Sequence, residues 1–345
     1  MSRTLRTAVI GVGHMGRHHA RLYHDLPEAE LVAVVDSDEQ RAGEYATQYG
    51  GTPLSDPAAL LDLELDAATI AVPTVAHEAL AAPLIEAGIA LLIEKPLAPD
   101  AASARRLLEL ADAHGCVLQV GHSERFNPVV LAMDRMGVQP KFIETHRISP
   151  FTFRSADIGV VFDMMIHDID ILLHLVRCRD YRVRAVGVAV LGPHEDIANA
   201  RVEFANGCVA NLTASRLALK TERKIRVFSH EAYLSMDYQK KTGIAIKKDA
   251  NLDLLKLARE RDLADLSQVA GLDFGSMVNV EPLQVQDVEP LRAEIQSFLA
   301  AVRTRGTPAV SGQDGYAAVA LAEHIVDTLG RHRWDGDPVD GTIAE

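Results

Sequence analysis

A glycine-rich turn between an apolar run and a helical run, near the amino terminus, constrains the fold more than any other feature. The run TAVIGV (residues 7–12) leads into Gly11-Val12-Gly13-His14-Met15-Gly16, and a helix is predicted from about His14 to His24. In a GxGxxG turn the first glycine makes the bend, the second lets the backbone approach a pyrophosphate, and the third lets strand and helix pack closely. The N–H groups at the start of the helix attract phosphates. The pattern therefore predicts a dinucleotide-binding βαβ unit.

An acidic residue at the end of the next predicted strand indicates which dinucleotide binds. The strand ELVAVVD ends in Asp36, twenty residues after Gly16, where a carboxylate accepts hydrogen bonds from the adenosine ribose. The same carboxylate repels a 2′-phosphate, and Ser37 and Asp38 add no cation to offset it. A mere tight turn with an acidic helix cap is the alternative. Because strand, glycines, helix and acid stand in register, we predict an NAD site. Its residues are Gly11, Gly13, His14, Met15, Gly16, Asp36 and Ser37.

The first third of the chain alternates short apolar runs with helical stretches. AATIAVP, ALLIEKP and CVLQVGH are apolar throughout, which indicates strands buried on both faces of a parallel sheet. The fold class predicted is therefore α/β, with residues 1–121 forming a doubly wound, NAD-binding Rossmann domain.

The sequence pattern changes after residue 121, and residues 122–345 are predicted to form a second domain. Longer runs with partial alternation, and the hairpin signal Asn206-Gly207, indicate a large, mainly antiparallel sheet with one open face. We expect this domain to bind substrate and to form oligomers. One helix is predicted within VVFDMMIHDIDILLHLV, short helices within 251–286, and helices over 289–303 and 314–331 that pack back on the first domain.

Composition narrows the class of protein. A chain of 345 residues favours two domains, and a formal net charge of −13 argues against nucleic acid or an anionic membrane as partner. No run approaches the ~20 apolar residues that span a bilayer, and the amino-terminal apolar run is too short for a signal peptide. Cys116, Cys178 and Cys208 lack metal-type spacing. A cytoplasmic protein with reduced thiols and no metal is expected.

The segment Glu94-Lys95-Pro96 ends an apolar strand with a carboxylate, an ammonium and a proline. One interpretation is a solvated turn, since burying an unpaired ammonium is costly. The other follows from strand direction, because ligands of open α/β sheets bind at the carboxyl ends of the strands. Lys95 then faces the cofactor.

A second cluster of ionisable residues lies in DMMIHDID. Helical spacing brings Asp163, His167 and Asp170 onto neighbouring turns of a helix that is otherwise apolar. Three interpretations remain open from these residues alone: a hydrogen-bonded structural cluster, a catalytic histidine with an orienting carboxylate, or a metal site.

The motifs occur in the order and at the separations seen in one enzyme family. GVGHMG, Asp36, VPTVAH (72–77), EKP (94–96), GHSERFNP (121–128) and DMMIHDID (163–170) resemble those of the Gfo/Idh/MocA oxidoreductases, and the similarity continues through residues 294–322. The resemblance implies a Rossmann domain followed by an α/β domain with a large antiparallel sheet. It also implies that Lys95 and His167 are catalytic and that Asp163 assists them.

The resemblance extends to further site residues. It implies that Pro73, Thr74 and His77 line the nicotinamide side, and that Glu94, with Lys95 and Pro96, approaches the nicotinamide ribose. From electrostatics we expect His167 to accept the hydroxyl proton, Asp163 to orient the imidazole and favour its protonated form, and Lys95 to stabilise the alkoxide. The roles of Lys95 and His167 are interchangeable at this stage.

A closer similarity, in GHSERFNPVV, residues 196–216 and residues 223–238, is to family members that act on a nucleotide sugar. It implies oxidation of UDP-N-acetylglucosamine to its 3-keto derivative, on the route to lipid A. A diphosphate needs cations, and we predict substrate contacts from Arg125, Asn127, Arg147, Arg154 and Asp170, with Arg216 a further candidate. Each arginine has the alternative of a solvated surface charge. Other sugars, inositol, or a non-redox NAD-binding role are the alternative functions.

Overall fold

A six-stranded parallel sheet forms the first part of the structure, a computed structural model that describes residues 3–152, 158–248, 278–286 and 288–332. The strand order is β3-β2-β1-β4-β5-β6, as predicted for a doubly wound sheet. The strands are β1 Leu5–Ile10, β2 Ala29–Val35, β3 Thr52–Leu54, β4 Ala67–Ile70, β5 Ala90–Glu94 and β6 Leu118–Gly121.

Helices cover both faces of this sheet, which explains why its strands are apolar throughout. Val9 and Val34 face one layer, whereas their neighbours Ile10 and Val35 face the other, and all four are at most 2% exposed. Burying both faces stabilises the sheet by roughly 1.5–3 kcal/mol for each large aliphatic side chain. The first helices are α1 Gly16–Asp25, α2 Glu39–Tyr49, α3 His77–Glu86 and α4 Ala101–Ala113, with short 3₁₀ turns at Pro57–Asp62 and Thr74–Ala76.

The direction of winding reverses between β1 and β4. After β3 at one edge, the chain returns to the centre and places β4 on the other side of β1. Such a reversal opens a crevice beyond the carboxyl ends of the two strands. The glycine turn after β1 and the loops after β4 and β5 all reach this crevice.

An eight-stranded sheet forms the second part of the structure, and it is mainly antiparallel as predicted. Its order is β14-β13-β12-β11-β7-β10-β9-β8, and only β7 and β10 pair in parallel among the strands described. The strands are β7 Phe142–Ile148, β8 Tyr181–Val188, β9 Ile197–Phe204, β10 Val209–Ser215, β11 Glu222–Phe228, β12 Ala232–Asp237, β13 Thr242–Lys248 and β14 Val278–Pro282. Asn206-Gly207 forms the predicted hairpin between β9 and β10.

Alternation along β9 shows that the sheet has one covered and one open face. Ala198, Ala200 and Val202 are fully buried, whereas Asn199 and Arg201 lie outward and bond to polar neighbours on the same face. The covered face packs against α6 Ile166–Val176, which continues from a π-helical turn at Val161–Met165. A 3₁₀ turn at Ser123–Phe126 and α5 Pro128–Arg135 connect the two sheets.

The carboxyl-terminal helices return to the first sheet. Helix α7, Pro290–Thr304, buries Phe298 against Ala67, Ala90 and Leu92. Helix α8, Gly312–Leu329, packs against α4, α6 and β8, and it starts with a capping box between Ser311 and Asp314. The two parts of the molecule therefore share side-chain packing through α7 and α8.

One prediction about secondary structure is wrong where it can be compared. Residues 278–282 form β14, which pairs with β13 from Ile244↔Pro282 to Lys248↔Val278, and are not part of a helix. The strand is held by backbone pairing with β13 at the edge of the sheet. The sequence of these five residues does not indicate that pairing. Residues 249–277 lie outside the described residues. Within the described ranges, no helix has the length and apolarity needed to cross a bilayer.

Candidate active site

The glycine turn has the shape of a pyrophosphate cradle. Gly11 has φ +83°, and a Cβ there would lie 2.6 Å from the Ala71 carbonyl oxygen. A Cβ at Gly16 would lie 1.7 Å from the Gly11 carbonyl, whereas a Cβ at Gly13 would meet nothing within 4 Å. Gly11 and Gly16 therefore serve close packing, and Gly13 leaves open space for a ligand. A cavity of about 480 Å³ lies beside the turn, lined also by Asp36, Ser37 and Pro73.

Asp36 is fixed at the far end of this cavity. Its carboxylate accepts hydrogen bonds from Val12 N at 2.9 Å and Asp38 N at 3.0 Å. A cation that sequence analysis missed, Arg41, lies 3.3 Å from Asp36 and 3.1 Å from Asp38. Two carboxylates share this one guanidinium, so the site still disfavours a 2′-phosphate. The residues present therefore fit NAD.

Lys95 crosses from the first sheet to the second part of the molecule. Its Nζ donates to the Asp163 main-chain oxygen at 2.7 Å and lies 3.7 Å from Asp163 Oδ1. The side chain is 19% exposed, and the Lys95–Pro96 peptide bond is cis. The interpretation of Lys95 as a solvated turn residue is wrong, because its ammonium is held at the crevice by a helix 68 residues away.

His167 lies on the first turn of α6, half-buried beside the same crevice. Its Nδ1 is buried and has no hydrogen-bond partner among the described residues. Burial, and then the positive charges of Lys95 and Arg147, lower the pKa of His167 well below its ordinary value. The imidazole is therefore neutral at neutral pH and is suited to accept a proton.

The expected role of Asp163 toward His167 is wrong. Asp163 lies in the π-helical turn, where its carbonyl and carboxylate both face Lys95, and His167 Nδ1 has no carboxylate partner among the residues described. The expectation that the imidazole is held protonated also fails, because burial and then the charge of Lys95 lower the pKa of His167. Asp163 positions Lys95 instead.

Glu94 takes part in a buried cluster that the sequence did not predict. Its Oε1 lies 2.9 Å from His19 Nε2, and its Oε2 accepts from Lys95 N at 3.3 Å. Glu294 of α7 lies within 4.8 Å of both side chains and is fully buried with no partner for either oxygen in the described structure. Burial first, and then the Glu94 charge, raise the pKa of Glu294 well above its usual value. Glu294 therefore keeps its proton to higher pH than an ordinary glutamate, whereas the His19 contact lowers the pKa of Glu94 despite its burial.

Two of the predicted diphosphate-binding arginines already have carboxylate partners. Arg125 forms a two-pronged pair with Asp170 at 2.9 and 2.6 Å, and its third nitrogen lies 2.7 Å from His174 Nδ1. Arg147 pairs with Asp168 in the same way at 2.9 and 2.8 Å and bonds Glu124 at 3.2 Å.

The substrate-binding prediction is therefore corrected for Arg125, Arg147 and Asp170. Every guanidinium nitrogen is used, and the two arginines are at most 4% exposed. Arg216 is likewise paired with Asp196 at 2.6 Å. The Arg125–Asp170 and Arg147–Asp168 pairs hold α6 against the Ser123–Phe126 turn and β7, because breaking one would leave a buried charge without compensation.

Two other predicted site residues make structural contacts instead of facing a ligand. Asn127 caps α5 by accepting from Val129 N at 3.1 Å and is buried, so its predicted substrate contact is not supported. His77 is fully buried between the carbonyls of Leu97 and Val72, so it ties two loops together and does not line the nicotinamide side. Arg154 lies outside the described residues.

Four further predicted cofactor residues remain, of which Pro96 is buried and His14 is exposed. Thr74 and Pro96 line a cavity of about 200 Å³ with Phe162 and Glu195, between the two parts of the molecule. His14 is exposed at the start of α1, next to His18, and Met15 is the residue before that helix.

Two residues near the centre were missed. His122 follows β6 directly, and its ring lies edge-on to that of His167 with centroids 6.4 Å apart. It satisfies the strand-end rule that selected Lys95, so the signal was present in the sequence. Arg223 of β11 faces Arg147 across the strand pair, and this depends on a register that only the structure shows.

The cradle, the acidic ribose site and a lysine–imidazole pair beside one crevice define an NAD-dependent oxidoreductase acting on a CH–OH group. Comparisons with known proteins agree. Residues 5–122 match the oxidoreductase family with an NAD-binding Rossmann fold, and residues 138–235 match the GFO/IDH/MocA C-terminal domain. The chain belongs to the Gfo/Idh/MocA oxidoreductase family.

Individual relatives cover nearly the whole chain. UDP-N-acetylglucosamine 3-dehydrogenase from Acidithiobacillus ferrooxidans is 39% identical over 93% of this chain and 96% of its own length. A crystal structure of that enzyme matches with a TM-score of 0.84 over 95% of this chain and 98% of that one. Inositol 2-dehydrogenase from Rhizobium meliloti is 25% identical over 96% of this chain and 98% of the relative.

Proposed function

We propose that this chain oxidises the 3-hydroxyl of UDP-N-acetylglucosamine to a ketone with NAD. The observation that carries the chemistry is the position of Lys95 and His167, from two different parts of the molecule, beside one crevice next to the dinucleotide cradle. The substrate rests on the similarity to a UDP-N-acetylglucosamine 3-dehydrogenase over most of both chains.

The proposed division of labour follows from the electrostatics. His167 Nε2 accepts the hydroxyl proton, since burial and Lys95 lower the pKa of this imidazole and keep it neutral. Lys95 donates a hydrogen bond to the same oxygen and stabilises its developing negative charge. Asp163 holds the ammonium in place through its main-chain oxygen. NAD, which the glycine turn and Asp36 would hold, would supply the hydride acceptor, so the alcohol would become a ketone with the hydroxyl proton left on His167.

A cation for the substrate diphosphate is proposed in place of the buried arginines. Side chains alternate along β11, so Arg223 lies on the same covered face of the sheet as Ile225 and Val227. Its side chain is nevertheless 46% exposed. Its guanidinium lies 3.3 Å from the Glu124 carboxylate. It also lowers the pKa of His167, although burial, Lys95, Arg147 and His122 each have a larger effect. An exposed cation at the rim of the covered face is well placed to meet a diphosphate.

Oligomerisation and location complete the proposal. We assign residues 1–121 to cofactor binding and 122–345 to substrate binding and assembly, as a dimer or tetramer. The open sheet face supports this: Phe228 lies 5.7 Å from Phe142 and 4.7 Å from Tyr233, ring centroid to centroid, and is 38% exposed. Such aromatic surface is usually covered by a partner.

We also propose that the protein acts in the cytoplasm, where its three thiols, which form no disulfide, would stay reduced. A 3-keto product would be a substrate for an aminotransferase on a route to lipid A.

The test is a substrate panel with NAD, following absorbance of the reduced nicotinamide. UDP-N-acetylglucosamine, other nucleotide sugars, free sugars and inositol are compared, with a ketone trap because oxidation of this kind is uphill. Turnover of UDP-N-acetylglucosamine alone supports the proposal. Turnover of inositol or free sugars in preference assigns a different alcohol, and substrate conversion without net NAD reduction assigns an internally recycling reaction.

A further inference from the structure

His122 is an ionisable group next to Lys95 and His167 that the proposed mechanism leaves without a role. Gly121 pairs with Glu94 in the parallel register of β6 and β5, so His122 and Lys95 leave the sheet side by side. Its backbone is held by bonds to Val120 O at 2.8 Å and from Arg125 N at 2.9 Å. The ring position is therefore set by the sheet.

The side chain of His122 is fully buried, and neither ring nitrogen has a hydrogen-bond partner among the described residues. The adjacent His167 Nδ1 is in the same condition. Buried polar atoms nearly always have partners, in the protein or in ordered water. Two imidazole rings with unpaired nitrogens, at an interplanar angle of 86° and 6.4 Å between centroids, are therefore natural partners for each other through one water molecule.

We propose that His122 is a positioning residue for His167. The Nδ1–H group of His167 donates a hydrogen bond to one ordered water, and that water donates a hydrogen bond to a ring nitrogen of His122. This inference rests on the proposed function. The contact fixes the tautomer in which Nδ1 carries the proton and Nε2 presents its lone pair to the sugar hydroxyl.

The charges around His122 are consistent with an acceptor. Lys95 and Glu94 face it from the end of β5, Asp170 from α6, Arg125 from the following turn, and the His167 ring from α6. Burial first lowers the pKa of His122; Arg125 and Lys95 add to the lowering, and Asp170 and Glu94 oppose it. The His122 ring is therefore neutral, and one of its nitrogens has a lone pair that can accept a hydrogen bond.

Packing alone does not account for an imidazole at this position. A phenyl ring would fill the same space beside His167 without burying two nitrogens that lack partners. This comparison defines the variants. His122→Phe keeps the ring and removes both nitrogens, and His122→Gln keeps a polar side chain capable of accepting a hydrogen bond.

The first measurement needs no substrate: nitrogen NMR of the His167 imidazole in the NAD-bound enzyme. In the unaltered protein the Nδ1–H tautomer should dominate, and His122→Phe should give a mixture of the two neutral tautomers. An unchanged tautomer in that variant would overturn the proposal. This outcome is independent of whether the substrate has been identified, so it separates failure of this inference from failure of the proposed function.

The second measurement uses turnover of UDP-N-acetylglucosamine. His122→Phe should lower kcat by ~10-fold or more, the scale for a partner that orients a functional imidazole. KM and NAD affinity should be unchanged, and His122→Gln should recover part of the rate. Unaltered kcat in His122→Phe, or equal loss in both variants with loss of NAD binding, would contradict a positioning role.

Discussion

Lys95 Nζ lies 2.7 Å from the main-chain oxygen of Asp163, and this contact joins the end of a Rossmann strand to the helix that carries His167. The oxygen belongs to the π-helical turn at Val161–Met165, and the Asp163 carboxylate lies 3.7 Å from the same ammonium. The two groups proposed to be catalytic, Lys95 and His167, therefore have separate neighbours, and this leads to distinct expectations for each.

Cofactor choice should depend on Asp36. Asp36→Ser removes the carboxylate that repels a 2′-phosphate and leaves Arg41 paired only with Asp38. We expect kcat/KM with NAD to fall ~10-fold and that with NADP to rise, since a charge-assisted contact is worth this much. Steady-state kinetics with both cofactors measures the ratio. Asp62→Ser, which removes an exposed carboxylate elsewhere, is the control, and an unchanged ratio in Asp36→Ser would contradict the assignment.

Substrate affinity should depend on Arg223. Arg223→Gln should raise KM for UDP-N-acetylglucosamine ~10-fold, about 1.4 kcal/mol, with a smaller effect on kcat. The wild-type KM should also rise more steeply with salt than that of the variant. Arg226→Gln is a matched control, because Arg226 is on the same strand and similarly exposed, but its partner Glu144 lies on the open face. Equal effects of the two substitutions would remove Arg223 from the site.

The buried acid Glu294 should make stability depend on pH. Burial raises the pKa of Glu294, so its contribution to stability is present at acid pH and is lost as pH rises toward the raised value. Glu294→Gln removes this dependence, and its Tm should exceed that of the wild type by an amount that grows from acid to alkaline pH. Thermal unfolding across that range measures it, with Glu109→Gln as an exposed control. A Tm difference that shrinks with rising pH would show that Glu294 is ionised.

The rate of oxidation should be insensitive to pH around neutrality. The proposed base, His167, can accept a proton only when it is neutral, and burial lowers its pKa well below 6.5. The rate should therefore hold steady at neutral pH and fall as pH drops through the lowered pKa. A kcat profile for the wild type and His167→Gln tests this. An acid limb at or above the ordinary histidine pKa, or one that persists in the variant, would assign the base elsewhere.

Features set by local rules were predictable from the sequence. Gly11 and Gly16 are required by backbone approaches that occur in the structure, and Lys95 ends a strand at the edge where α/β sheets bind ligands. Hairpin chemistry at Asn206-Gly207 located β9 and β10. Each of these inferences uses residues that are neighbours in the chain.

Features set by long-range partner choice were not predictable. Arg125 and Arg147 looked like diphosphate ligands, but their partners Asp170 and Asp168 lie 45 and 21 residues away and neutralise them. Asp163 lies in a π-helical turn and faces Lys95, and nothing in a helical repeat signals one additional residue in a turn. Arg223 reached the site through strand register, which is decided only when β7 and β11 pair.

The rate of hydride transfer in Lys95→Ala and His167→Ala tests the central claim most directly. NAD and UDP-N-acetylglucosamine are mixed with each variant in the presence of a ketone trap, and reduced nicotinamide is followed. Lys224→Ala and His146→Ala, on the open sheet face, serve as controls, and NAD affinity is measured in parallel. The account predicts a loss of ~10²-fold or more in each of the first two variants with NAD binding retained; rates near the wild type in both would contradict it.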